Sequence, residues 1–268
     1  MSYLQTDCGK NVYFEDYGVG SSAVLLIHGW GFSCRAWENT LPALLAAGHR
    51  VVMLDHRGCG ASDKDFADMG INAIAGDVVA LVDQLGLASV VLNGWSLGGA
   101  VAVEAASRLG SRCNGVVLTG GATPIYVQKP DLPLGGTEAD MAGTVAALQA
   151  DRIGFLAGLV HAVCAKEVAP AITDWMWRVF CEASPLAHQT LAQLAPLDQR
   201  AQLAALDVPI LSFVGTQDAF VGPDICRWVG ANNARARLVE YEGVGHAPFI
   251  EVAEDYNRDL LAFLAELA

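Results

Sequence analysis

The chain has 268 residues, 53% of them apolar and 17% charged, which excludes a disordered chain. At about 150 residues per domain this length makes one large domain or two small ones. The 16 Lys and Arg against 29 Asp and Glu leave a net charge of −13, which repels nucleic acid and anionic lipid and sets both aside as partners.

Residues 3–6 and 11–17 alternate apolar and polar with Gly9 between them, and they predict an antiparallel hairpin leading a sheet. Residues 23–27, 51–54, 90–92, 116–118 and 209–214 are short apolar runs bounded by Gly, Asp, Asn or Pro. Continuous apolarity predicts strands buried on both faces of a parallel sheet. Helical patterns at 36–47, 72–85, 97–109 and 255–267, with a further strand at 236–241, complete a doubly wound α/β alternation. The alternation stops after Gly121 and resumes near Val208, with helical patterns at 138–150, 153–165, 171–182 and 185–194 between. The expectation is one α/β core made of residues 1–121 and 206–268, split by a helical cap at 122–205.

The seven cysteines are dispersed and form no CxxC pair, which points to reduced thiols rather than a disulfide framework or zinc knuckle. Residues 1–13 carry no apolar signal core, and the longest apolar stretch, 154–165, is interrupted by His161 and too short to span a bilayer. A cytoplasmic protein with no membrane partner is expected.

Gly94-Trp95-Ser96-Leu97-Gly98-Gly99 follows a predicted strand and opens a predicted helix. GxSxG alone is a weak signal, but a serine between strand and helix sits on a tight turn that exposes its oxygen at a helix N-terminus. His28-Gly29-Trp30-Gly31 follows the first core strand. Acyl transfer needs two backbone donors for the oxyanion, and the amides of Trp30 and Leu97 are the candidates. His28 reads as a structural brace for that loop. The candidate base is His246, in Gly243-Val244-Gly245-His246-Ala247-Pro248-Phe249, a Gly-hinged loop at the carboxyl edge of the sheet. His161 and His188 fall in the helical segment and read as packing or solvated residues. Asp218, in Gly215-Thr216-Gln217-Asp218, is the candidate carboxylate that orients the base. The other position for such an acid, Leu118-Thr119-Gly120-Gly121-Ala122, offers none. There is no P-loop, no GxGxxG after the first core strand and no His/Cys cluster, so no cofactor and no metal is expected.

Together with the turn Asp55-His56-Arg57-Gly58-Cys59-Gly60-Ala61-Ser62, these motifs resemble the α/β-hydrolase superfamily over nearly the whole chain. Within it the chain most resembles the bacterial arylesterase and cofactor-free haloperoxidase (perhydrolase) group, on Asp151-Arg152, Gly154-Phe155, Trp175 and Ser184-Pro185. HGWG and GHAPFI are also similar to pimeloyl-acyl-carrier-protein methyl esterases. The resemblance implies a serine hydrolase with the chain order Ser96, Asp218, His246. A serine, rather than the Asp of haloalkane dehalogenases or the Cys of dienelactone hydrolases, implies attack on an acyl carbonyl. Perhydrolases of the group often carry Pro after the oxyanion-loop tryptophan, where this chain has Gly31, so ordinary hydrolysis of a small, mostly apolar ester is expected. Trp30, Trp95, Phe155 and Trp175 are candidate substrate-binding residues. Trp177 and Phe180 read equally as pocket or as cap packing, and Arg152 and Arg178 as carboxylate binders or a solvated face. A lactonase or a carbon–carbon bond hydrolase would carry the same motifs, a ligand-binding receptor on this fold would retain the triad, perhydrolysis is the further alternative, and the oligomeric state is not legible.

Overall fold

A computed structural model describes residues 2–6 and 8–267. Residues 1, 7 and 268 of the expected core segments lie outside the described residues. The strands are β1 (Ser2–Gln5), β2 (Asn11–Tyr17), β3 (Ser22–Ile27), β4 (Val51–Leu54), β5 (Ser89–Trp95), β6 (Cys113–Thr119), β7 (Ile210–Gly215) and β8 (Ala236–Tyr241). They form one sheet in the order β1-β2-β4-β3-β5-β6-β7-β8. β1–β2 and β2–β4 pair antiparallel, and all other pairs are parallel.

The parallel strands are apolar throughout because both of their faces are covered. Leu25, Ile27, Val52 and Leu54 face one apolar layer, and Val24, Leu26, Val51 and Met53 face the other. Helices α1 (Leu41–Ala46), α2 (Ile71–Gln84) and α3 (Leu97–Leu109) lie between the early strands. Helices α4 (Glu138–Ala150), α5 (Arg152–Ala162), α6 (Pro170–Glu182), α7 (His188–Ala192) and α8 (Arg200–Ala205) lie between β6 and β7. Helix α9 (Pro223–Asn232) joins β7 to β8, and α10 (Pro248–Glu251) and α11 (Ala253–Glu266) follow. α2 and α3 supply Ile74, Val78, Leu81 and Val101 to the first layer, and α11 supplies Tyr256, Leu260 and Phe263 to the second. Each large side chain so buried contributes about 1.5–3 kcal/mol.

Three helical differences from the sequence reading have local causes. Residues 36–47 split into a 3-10 turn at Cys34–Trp37 and the short α1, whose first turn holds Pro42. α9 was not expected: its ten residues, of which Ile225, Cys226 and Val229 are buried, are fewer than the window over which a helical period shows. α8 buries only Leu203 and packs against α3, so the end of the segment between β6 and β7 is built onto the core. Gln199 joins the two ends of that segment: its amide N–H donates to Pro124 O, its Nε2 to Ala100 O, and its Oε1 accepts from Thr123 Oγ1, all at 2.8 Å.

Two clusters of buried polar side chains brace the core under the site. Asn93 Nδ2 donates to the Tyr256 hydroxyl at 2.9 Å, and Thr119 Oγ1 donates to Asn93 Oδ1 at 3.1 Å. Arg57 makes a two-pronged pair with Asp77 at 2.6 and 2.7 Å, fixing the turn after β4 onto α2. Among the described residues no helix is long and apolar enough to cross a membrane.

Candidate active site

β5 passes into α3 through Ser96, which has φ 55° and is the only non-glycine with positive φ among the described residues. Such a conformation costs about 1–3 kcal/mol and persists only where neighbours enforce it. Here Ser96 N–H donates to Thr119 O at 3.0 Å, and Ser96 O accepts from Gly99 N and Ala122 N, each at 2.8 Å. A side chain at Gly98 would overlap the carbonyls of Ile27 and His28, so glycine lets β3 and the first turn of α3 meet. The Ser96 side chain is left partly exposed on a cavity. The Leu97 amide lies in the first turn of α3, where N–H groups have no acceptor within the helix.

The end of β7 presents Asp218. Its Oδ1 accepts from the amides of Phe220 and Val221 at 2.8 and 2.9 Å, and its Oδ2 accepts from His246 Nδ1 at 2.7 Å. Both side chains are buried. With the proton of the neutral ring on Nδ1, Nε2 keeps its lone pair. The histidine loop is held from several sides. His246 N–H donates to Val163 O at 2.9 Å, and Trp95 Nε1 donates to His246 O at 2.9 Å. The ring lies between Trp95 and Phe220, with centroids at 5.4 and 5.1 Å. The Glu251 carboxylate accepts from Gly245 N and Ala165 N at 2.9 Å and from Lys166 N at 2.8 Å, joining the loop to the chain after α5.

The loop after β3 rests on His28, which is fully buried. Its Nδ1–H donates to Gly29 O at 2.7 Å, its Nε2 accepts from His56 N–H at 2.9 Å, and its ring stacks on His56 at 3.8 Å. Burial pushes the His28 pKa down to about 4. His56 falls well below its ordinary value through burial and then through His28. Asp55 joins this loop to the turn after β4: Oδ1 accepts from Cys34 N and Oδ2 from Ala61 N, both at 2.7 Å. Gly31 has φ +68°, which proline cannot adopt. Trp30 Nε1 donates to Ala187 O at 2.8 Å, so the ring is fixed as a wall.

Ser96, His246, Trp30, Trp95 and Phe155 all line one cavity of about 80 Å³, and Asp218 stands behind His246. Trp175 does not line it, contrary to the expectation: its ring stands edge-on to Phe32 at 5.5 Å. The reason is helical spacing, since positions 175 and 180 lie about 140° apart around α6, and Phe180 takes the cavity face. Trp177 is exposed. Arg152 does not line the cavity: its Nη2 donates toward the carbonyls of Ala183 and Phe180 at 2.6 and 3.1 Å, with Cys181 O at 3.4 Å, at the end of α6. Arg178 lies on the exposed face of α6. The sequence reading missed Tyr126, Thr144, Leu159, Val163, Leu191, Leu194 and Phe220 as cavity walls. Only Phe220, two residues after Asp218, carried a signal.

The sequence pattern of the α/β hydrolase fold matches residues 22–253. A non-heme chloroperoxidase of Streptomyces lividans is 30% identical, over 98% of this chain and 99% of that protein. An esterase from Exiguobacterium antarcticum superposes with a TM-score of 0.94 at 27% identity, covering 98% of this chain and 99% of the other. A bromoperoxidase from Bacillus anthracis gives 0.93 at 28% identity, covering 98% and 100%. Strand order and sequence pattern agree over most of the chain, and it belongs to the α/β-hydrolase fold family.

Proposed function

We propose that the chain is a serine hydrolase cleaving a small, mostly apolar carboxylic ester through Ser96, His246 and Asp218. The observation that carries this reading is the 2.7 Å Asp218–His246 hydrogen bond beside a serine on a strained turn, with His246 and Ser96 on one cavity. His246 Nε2 takes the Ser96 proton as the oxygen attacks the ester carbonyl, and Asp218 stabilises the imidazolium. The amides of Trp30 and Leu97 stabilise the oxyanion, and losing one such donor costs about 100- to 1,000-fold in rate. His246 returns the proton to the departing alcohol, then activates water to cleave the acyl-enzyme.

Residues 122–205 act as a cap whose Phe155, Phe180 and Leu191 wall the cavity. Hydrolysis is favoured over perhydrolysis because the φ of +68° at Gly31 gives this loop a course that a proline there could not follow. The esterase from Exiguobacterium antarcticum supports the same reading. The test is Ser96→Ala assayed beside wild type on p-nitrophenyl esters. Turnover is expected to disappear while circular dichroism stays unchanged, and a wild-type rate in the variant would reject the assignment.

A further inference from the structure

The cavity that holds Ser96 is small, but it does not end there. A second cavity of about 450 Å³ adjoins it, and four residues line both: Tyr126, Thr144, Leu191 and Phe220. These four stand at the boundary, or neck, where the reacting centre and the larger space meet.

Two observations say what passes the neck. His246 must deliver its proton to the oxygen of the departing alcohol, and of the two rings packed on it Phe220 lines both cavities while Trp95 lines only the inner one. Trp30, Phe155 and Phe180 line only the inner cavity and are left for the acyl half. The outer cavity carries Asp140, Asp218 and Asp224 and no Lys, Arg or His among its described lining residues, so an anionic group is repelled there. The Asp140 carboxylate accepts from the Thr137 amide and hydroxyl and is held below the usual carboxylate range by them. Asp224 pairs with Arg227 at 3.0 Å, outside the lining.

Tyr126 is distinctive among the neck residues. Thr144 Oγ1 is already committed to Asp140 O at 2.9 Å. The Tyr126 hydroxyl makes no hydrogen bond to the described residues, and burial pushes its pKa up to about 12, so it stays a donor. A donor that opens onto the cavities without a protein partner is available to an acceptor on a ligand.

We propose that the outer cavity is the subsite for the alcohol half of the ester and takes uncharged or cationic alcohols of several carbons, with the Tyr126 hydroxyl donating to an ether or hydroxyl oxygen on that alcohol. The proposal rests on the esterase reading above. It is tested by measuring acid release from methyl, heptyl, 2-butoxyethyl and 3-sulfopropyl acetates and from methyl octanoate. Wild type is expected to favour 2-butoxyethyl acetate and to disfavour the sulfonate. Tyr126→Phe is expected to lower the ratio of kcat/KM for 2-butoxyethyl over heptyl acetate by about three- to tenfold, chiefly through KM. Leu191→Trp, which fills the neck, is expected to lower heptyl over methyl acetate by about tenfold or more. Circular dichroism checks that Leu191→Trp folds, and Tyr126→Phe, which removes one oxygen, carries the test if it does not. Unchanged ratios in Tyr126→Phe, a Leu191→Trp loss falling on methyl octanoate instead, or a wild-type preference for the sulfonate would each overturn the subsite alone. Failure of wild type to hydrolyse any of these esters would overturn the esterase reading and the subsite with it.

Discussion

Burial decides the charge of His28. Both ring nitrogens are already used, and a second proton would break the bond from His56 N–H and leave a cation in a dry interior. The ring titrates near 6.5 in the unfolded chain and at about 4 in the folded one. Between those values the unfolded state binds more protons, so stability is fully present above about pH 6.5 and falls as pH drops toward 4, by about 3 kcal/mol. Urea midpoints at pH 7 and 4.5 should differ in that direction, and equal midpoints would contradict this account of His28. Gly31 sets a second expectation. Gly31→Pro forces φ to about −65° and displaces the neighbouring Trp30 amide, so kcat on p-nitrophenyl acetate should fall about 100-fold. Ser96, Asp218 and His246 were legible because each sits in a glycine-marked loop at a strand end. Tyr126 and Leu191 were not, because their place on the cavity depends on how distant segments pack.

Between elements, side chains to backbone carbonyls and amides do work that no periodicity announces. Arg152, at the start of α5, donates through Nη2 to carbonyls at the end of α6, where the helix dipole favours a cation. Arg152→Ala should lower stability by about 1–3 kcal/mol in urea titration. It should also raise KM more than it lowers kcat, because Phe180 on the released turn is a cavity wall. Wild-type values for both would show that the cap end holds without it. Asp77→Ala should cost more, about 3–5 kcal/mol, since it leaves the buried Arg57 guanidinium without its carboxylate. The alternation of strands and helices was readable wherever elements were long and buried. α8 and α9 escaped because six and ten residues are shorter than the window over which a helical period repeats.

Across the whole molecule, the net charge of −13 acts on anything that approaches the cleft. Arg152 is directed at carbonyls and does not line the cavity, so it makes no contact there with an arriving anion. The kcat/KM of an anionic ester should therefore rise as salt goes from about 0.02 to 0.5 M, while that of a neutral ester stays flat. Parallel behaviour of the two would rule out the long-range field as a selector. The sheet order also explains why the site needs both core segments: Trp30 and Ser96 follow β3 and β5, whereas Asp218 and His246 follow β7 and β8.

The hydrogen bond from His246 N–H to Val163 O, together with Glu251 holding Gly245, Ala165 and Lys166, bears on how this scaffold can be re-engineered. Helices from a homologous lid could be transplanted to change substrate range only if the graft keeps the junction at residues 163–166. A swap that cuts there removes the backbone acceptor that seats His246, the proposed base, and the chimera would inherit a new pocket with a misplaced imidazole.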